Sequence, residues 1–285
     1  MSTTPSLPLR SNAVGLAIIV GLVASACAGT TSTPATSVAP SAPPSAAPPA
    51  SASAPSSQVP SSAPISSSPS PAAAGEPAFD AANFPDGATV TNPWFPLIPG
   101  TVFKSRGIKD GKAAIDIVTV TDRTKVIAGV TTRVVDDRTT LDGIPSERTT
   151  DYYAQDASGN VWYIGEDTAE LDTKGNIVNR DGTWHAGVDG AVPGIFMEAD
   201  PVIGHAFRQE FYPGQAEDHY QVISLTATVH VPYGAFSDAL RTKEWTPLEP
   251  DVLDAKFYVR GIGLVRETAV KGPKETFSLV SVKKP

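Results

Sequence analysis

From residue 101 onward, apolar and polar residues alternate in short runs, the period expected of β-strands with one buried face. Residues 113–121 and 131–136 are the clearest runs and are rich in β-branched residues. Similar runs predict strands over residues 147–155, 161–164, 205–211, 220–231, 242–246, 255–259, 263–270 and 276–282. Turn residues separate these runs. The pattern predicts an all-β fold, a single mostly antiparallel meander or a partly closed barrel with little helix.

Turn chemistry adds two hairpins to this prediction, one across residues 147–164 and one across residues 171–178. Short helical turns are expected only at residues 80–84 and 238–244. Because strands do not alternate with helices along the chain, a doubly wound parallel sheet is disfavoured.

Residues 182–197 interrupt the strand pattern with several glycines and little periodicity. Long loops of this kind are often lids over a binding site. The apolar residues 192–197 are equally suited to a flap that packs across the sheet, so both interpretations stay open. Residues 92–100 combine prolines with Trp94 and Phe95 and are expected to cover one end of the core.

The first 75 residues follow a different pattern. Residues 1–12 are polar and carry Arg10, whereas residues 13–26 are apolar or small. This order is typical of a signal peptide. Fourteen helical residues extend about 21 Å, which is too short to span a bilayer permanently.

The end of the apolar run is Ala24-Ser25-Ala26-Cys27, which resembles the lipobox of bacterial lipoproteins. Ala24 departs from the pattern, in which Leu is usual. The resemblance implies that residues 1–26 are removed and that Cys27 carries the lipid (palmitate-type acyl chains), which anchors the protein to the extracytoplasmic face of the cell membrane. The alternative is an ordinary cleavage site that leaves Cys27 free.

Residues 27–78 are predicted to be a disordered tether. Residues 28–75 consist almost entirely of Ser, Ala, Pro and Thr and hold eleven of the 27 prolines. Such a segment buries too little apolar surface to offset its ordering entropy. Its Ser and Thr residues are also suited to O-glycosylation. The predicted organisation is therefore a signal peptide (1–26), a lipidated tether (27–78) and a β domain (79–285).

Two motifs of the β domain, NPWFPLIPGT near residue 95 and GNVWYIGE near residue 162, resemble an uncharacterised family of secreted bacterial proteins. The resemblance spans roughly residues 83–283. It implies a single domain and brings no catalytic residue with it.

Charge and motifs narrow the function. The net charge is −8 and the basic residues are scattered, which disfavours nucleic acid as a partner. The single cysteine excludes an intramolecular disulfide. The familiar nucleophile, phosphate-binding and metal motifs are missing from the sequence. We therefore expect no catalytic residue, no metal and no cofactor.

Two sets of side chains remain as candidates for chemistry. The carboxylates would serve an extracellular hydrolase if two of them met in a cleft, and solvated strand faces are the plainer interpretation. The set comprises Glu147, Asp151, Glu166, Glu210, Glu217, Asp218, Glu244 and Glu249. The four histidines are isolated in sequence and are interpreted as surface or strand residues. They are His185, His205, His219 and His230.

Aromatic residues with carboxylates nearby suggest a binding site more directly. The predicted ligand-binding residues are Tyr153, Trp162, Glu166, Trp184, Glu210 and Trp245. The sequence thus favours a cell-envelope lipoprotein whose β domain binds a small lipid, a glycan or an envelope protein. A carboxylate-dependent hydrolase and a purely adhesive module are the alternatives.

Overall fold

The structure is a computed structural model, and it describes residues 77–285. The predicted signal peptide, the lipidated Cys27 and nearly all of the predicted tether lie outside the described residues. Within the described part of the chain, no helix is long and apolar enough to cross a bilayer. The one helical element among residues 77–285 is a single 3-10 turn, Ala81–Asn83, at the position that the sequence predicts.

Fifteen strands make up almost all of the regular structure of the described residues. They are β1 (Val102–Lys109), β2 (Lys112–Ile127), β3 (Val130–Leu141), β4 (Ile144–Gln155), β5 (Val161–Leu171), β6 (Ile177–Asn179), β7 (Trp184–His185), β8 (Val192–Met197), β9 (Ala206–Arg208), β10 (Glu210–Phe211), β11 (His219–Val231), β12 (Gly234–Trp245), β13 (Leu253–Val259), β14 (Gly263–Lys271) and β15 (Thr276–Lys283).

All strands belong to one antiparallel sheet. The pairing order is β10-β8-β5-β4-β3-β2-β1-β15-β14-β13-β12-β11-β9, with β6 and β7 also paired to β5. The two end strands, β9 and β10, are separated in sequence by Gln209 alone. The sheet therefore curls until its ends approach each other, although strand pairing does not close a ring. This architecture confirms the predicted all-β, mostly antiparallel fold.

Tight turns set the register of the first four strands. Asp110-Gly111, Ala128-Gly129 and Asp142-Gly143 join consecutive strands, and both residues of each turn have positive φ. Two-residue turns of this conformation match the right-handed twist of antiparallel strands and are favoured between them. Every second side chain then points toward the inside of the curled sheet.

An aromatic cluster fills one part of the interior. Phe95, Tyr153, Tyr163 and Phe196 are buried, and the Tyr153 and Tyr163 rings stack with centroids 4.9 Å apart. Phe95 comes from the proline-rich segment 92–100, which covers the core as the sequence predicts. We call these four residues the aromatic core.

Two sequence-based expectations need correction. Residues 238–244 belong to β12 and not to a helical turn, because their backbone pairs with β11 and β13. Residues 182–197 do not form a free loop, since β7 and β8 within this segment pair with β5. Trp184 and Phe196 are buried there, so the segment is part of the sheet and of its core.

Candidate functional site

The inside of the curled sheet carries many acidic side chains. Buried carboxylates alternate with apolar residues along the strands, in phase with the inward-facing positions. They are Asp137, Glu147, Asp151, Glu166, Glu210, Asp218, Glu244, Asp254 and Glu267. Two buried lysines accompany them: Lys109 Nζ lies 3.4 Å from Glu147 Oε2, and Lys256 Nζ lies 2.8 Å from Glu244 Oε2. Buried charges are rare without partners, so this excess of acid needs an explanation.

A largely apolar cleft lies between the covering segment and strands β1, β2, β14 and β15. It encloses about 40 Å³, and the rest of the space between its walls is open to solvent. We call it the apolar cleft. Its lining residues are Phe95, Pro96, Leu97, Phe103, Ser105, Asp116, Val118, Ile262, Gly263, Leu264, Val265, Arg266, Glu267 and Phe277.

A second, polar cleft adjoins it and encloses about 20 Å³. We call it the acidic cleft. Its lining residues are Asp218, Glu244, Trp245, Thr246, Val252, Asp254, Lys256 and Glu267. Besides its ion pair with Lys256, Glu244 accepts hydrogen bonds from Thr242 Oγ1 at 2.9 Å and from Tyr258 Oη at 3.3 Å.

Glu267 lines both clefts, and the strand order explains why. The apolar cleft is walled by β2, β1, β15 and β14, and the acidic cleft continues along β14, β13 and β12 to Asp218, which directly precedes β11. Glu267 pairs across the ladder with Phe277 on one side and with Lys256 on the other. Directly opposed residues of antiparallel strands share a face. The two clefts are therefore consecutive parts of one inner wall.

Burial raises the pKa of three carboxyls in the acidic cleft, those of Asp218, Asp254 and Glu267. Burial and the charge of Glu267 raise the pKa of Asp254 to about 7, with Glu244 and Glu249 adding to the rise and Lys256 opposing it. Burial also raises the pKa of Asp218 well above its usual value.

One oxygen of Asp218 is unpaired, although Thr246 hydrogen-bonds to the carboxyl and opposes the rise of its pKa. Its side chain is 7% exposed, and its Oδ1 atom has no hydrogen-bond partner. An unpaired buried acceptor costs free energy, typically about 1–3 kcal/mol, and here it faces a cleft.

A second acidic group adjoins the aromatic core. Asp151 and Glu166 are directly opposed on β4 and β5, and Tyr163 Oη donates to Asp151 Oδ1 at 2.7 Å. Burial raises the pKa of both carboxyls, and Glu210 raises that of Glu166 further.

The structure brings four of the six predicted ligand-binding residues to this group. Tyr153 stacks on Tyr163, whose ring meets that of Trp184 edge to face at 5.5 Å. Trp184 pairs with Glu166 across the ladder, and its indole N–H faces the carboxyl of Glu210.

The other two predicted residues lie elsewhere. Trp162 packs against Phe79 and Phe84, and its indole nitrogen donates to Asp156 Oδ2 at 2.8 Å. Trp245 lines the acidic cleft and stacks on His219 with ring centroids 5.5 Å apart.

Sequence reasoning missed several residues of the clefts. Asp116, Asp254, Lys256 and Glu267 were not among its candidates, although each lines a cleft. The available signal was their phase: Asp254 and Lys256 alternate with Tyr258 along β13, at inward positions. Of the predicted carboxylates, Glu217 lies in a turn, where it accepts a hydrogen bond from the backbone of Gly214 at 2.7 Å.

The predicted histidines fall outside the clefts. His185 Nε2 lies 3.1 Å from Asp167 Oδ1 on the outside of the sheet, and Lys125 Nζ lies 3.3 Å from the same histidine nitrogen. Burial lowers the pKa of His185 in spite of Asp167. Among residues 77–285, no group of three or more His, Cys, Asp or Glu side chains is arranged to hold a metal ion.

Comparisons with known proteins add two distant likenesses. No protein-family model matches the chain, and no curated protein matches it significantly. A crystal structure of a "putative exported protein" with a YmcC-like fold from Bacteroides fragilis is 18% identical, with a TM-score of 0.36, and covers 67% of this chain and 99% of its own. A crystal structure of a "putative lipoprotein" from Parabacteroides distasonis is 14% identical, with a TM-score of 0.38, and covers 70% of this chain and 100% of its own. At these TM-scores the likenesses carry no inference about this chain.

Proposed function

We propose that this chain is a lipid-anchored, extracytoplasmic protein whose β domain binds a small amphiphilic ligand inside its curled sheet. The observation that carries the proposal is the pair of adjoining clefts on one inner wall, one apolar and one acidic. The apolar part of the ligand lies against Phe103, Val118 and Phe277, and its polar part lies toward Glu267.

The extracytoplasmic location rests on the N-terminal sequence. A short apolar run that ends in Ala24-Ser25-Ala26-Cys27 is followed by a charge-free segment long enough to hold the domain away from the membrane. The test is Cys27→Ser in the native host. The variant should leave the membrane fraction or accumulate as precursor. Normal processing together with continued membrane binding would contradict the anchor.

Ligand binding rests on the chemistry of the cleft walls. Binding sites for small molecules are concave and mostly apolar, with a few placed polar groups that fix orientation. Curled antiparallel sheets commonly enclose such ligands. Here Leu97, Phe103 and Leu264 supply the apolar surface, and Glu267 supplies a polar group at the boundary between the two clefts.

A matched pair of substitutions tests the apolar cleft. Ser105 lines the cleft, whereas Ser281 is exposed on β15. Native mass spectrometry of protein purified from its own host should show a bound adduct in the wild type and in Ser281→Trp. Ser105→Trp should lose the adduct because indole fills the cleft. An adduct of unchanged abundance in Ser105→Trp would contradict the proposed site.

One observation favours the hydrolase alternative. Asp151 and Glu166 are opposed carboxyls with raised pKa values, an arrangement that pairs an acid with a second carboxylate in glycosidases. Both clefts are lined by other residues, so this candidate ranks second. Hydrolysis of a chromogenic glycoside that Glu166→Gln abolishes, and that Ser105→Trp leaves intact, would reverse the ranking.

A further inference from the structure

We infer that the acidic cleft binds a positively charged head group, and that the ligand is therefore a cationic amphiphile with a primary ammonium. This inference deepens the proposed function, because it names the chemistry of the ligand's polar end. It rests on two features of the acidic cleft: its charge balance and one carboxyl oxygen without a hydrogen-bond partner.

The charge balance is the first feature. Asp218, Glu244, Asp254 and Glu267 line the acidic cleft together with a single ammonium, that of Lys256. Lys256 Nζ lies 2.8 Å from Glu244 Oε2. One ammonium neutralises at most one carboxylate, so the cleft keeps an excess of negative charge or of bound protons. A second cation is the partner that this surplus would attract most strongly.

The unpartnered oxygen is the second feature. Asp218 Oδ1 is buried at the wall of the cleft and accepts no hydrogen bond. A carboxylate oxygen accepts hydrogen bonds and donates none when ionised. An ammonium brings three N–H donors and a positive charge, so it bonds to this oxygen more strongly than a neutral hydroxyl does.

Three probes with the same alkyl chain and different head groups separate the contribution of head-group charge to affinity from that of the apolar chain. Decylammonium, 1-decanol and decanoate are titrated into the full chain at pH 7.5. Each probe is kept below the concentration at which it aggregates. Binding is measured by isothermal titration calorimetry. We expect decylammonium to bind about tenfold tighter than decanol or more, and decanoate to bind weakest. Ser105→Trp should abolish binding of every probe.

Substitutions in the acidic cleft test whether its carboxyls cause the preference for decylammonium. Asp218→Asn combined with Asp254→Asn should reduce the preference for decylammonium over decanol about tenfold. Binding of decanol should not change. The control is Asp238→Asn, because Asp238 is exposed on β12 and lies outside both clefts. Circular dichroism establishes that the double variant is folded. If it is not, the wild-type probe series decides the question.

The outcomes distinguish the two proposals. Equal binding of decylammonium and decanol, both abolished by Ser105→Trp, would overturn the cationic head group and leave the proposed function standing. Preference for decanoate would do the same. Absence of binding for all three probes would overturn the head-group inference, and an adduct seen by native mass spectrometry would still support a ligand of other chemistry.

Discussion

The aromatic core and the acidic cleft are two parts of one curled sheet, and both are buried. In the aromatic core, Phe95 and Phe196 meet Tyr153 with ring centroids 5.2 and 5.0 Å away. In the acidic cleft, like charges oppose each other, as Glu244 and Asp254 do across the β12–β13 ladder. The first arrangement gains free energy from apolar burial, whereas the second loses free energy by desolvating charge. Burial alone therefore does not identify what holds this fold together.

The cost of the acidic cleft is the reason to assign it a function. Replacing buried ionic groups by apolar residues is often neutral or stabilising, so such groups are poor stabilisers. A fold that needed only stability would place apolar side chains at these inward positions, as it does at Tyr153 and Phe196. Four substitutions test this difference between the aromatic core and the acidic cleft.

The largest effect is expected in the aromatic core. Phe196→Ala leaves a cavity among Phe95, Tyr153 and Tyr163, and it should lower the free energy of unfolding by about 3–5 kcal/mol. Urea denaturation measures the change. Ile117→Ala is the control, because Ile117 is 38% exposed on β2 and should cost much less. Equal losses for the two variants would refute the assigned core.

The next effect tests the buried charge. Lys256→Met leaves Glu244 and Glu267 without their ammonium, and breaking a buried pair costs about 3–5 kcal/mol. The loss should be larger at pH 8 than at pH 5, because burial raises the pKa of Glu267 and protonation removes the charge that Lys256 neutralises. Urea denaturation at the two pH values measures both. Unchanged or increased stability at pH 8 would show that the acidic cleft needs no counter-charge.

A smaller effect follows from the pKa of Asp254, which is about 7 in the fold against 3.8 for an ordinary Asp. A raised pKa means that the folded state binds the proton more tightly than the unfolded state. Its contribution to stability is complete below pH 3.8 and is lost as the pH rises through 7. Asp254→Asn removes this dependence and should raise the Tm at pH 8, relative to the wild type, by several degrees more than at pH 4.

Thermal unfolding across that pH range measures the effect. Asp238→Asn serves again as the exposed control and should give the same difference from the wild type at every pH. Parallel curves for Asp254→Asn and the wild type would show that Asp254 titrates normally.

The smallest effect is expected at an exposed ion pair of similar geometry. Lys271 Nζ lies 2.7 Å from Asp251 Oδ1, nearly the separation of Lys256 and Glu244, but both of its side chains are exposed. Exposed pairs contribute little because water and salt screen them. Lys271→Met should leave the Tm unchanged within error. A loss as large as that of Lys256→Met would mean that separation, and not burial, governs these pairs.

The sequence predicts the fold well where one face of a strand is apolar. Residues 113–121 and 131–136 show this alternation and lie in β2 and β3. The sequence does not predict strand β1, because its inward positions include Ser105, Gly107 and Lys109, which lack the large apolar side chains of a core face. Residues 238–244 contain good helix formers, and pairing with β11 and β13 overrides that local preference.

The site is only partly visible in the sequence, for a related reason. Tyr153, Glu166 and Trp184 come together because β4, β5 and β7 are close both in sequence and in the sheet. The sequence does not predict Asp254 and Glu267 as site residues, because an acidic residue at an alternating position of a strand is usually exposed to solvent. Only the curl of the sheet turns those positions inward.

The most direct test of the account is the proton balance of ligand binding. Decylammonium is titrated into the protein at pH 7 in two buffers that differ in ionisation enthalpy. A cation beside Asp254 and Asp218 drives their protons off, so the account predicts proton release, seen as a binding heat that depends on the buffer. The same tight binding with a heat that is identical in both buffers would contradict it.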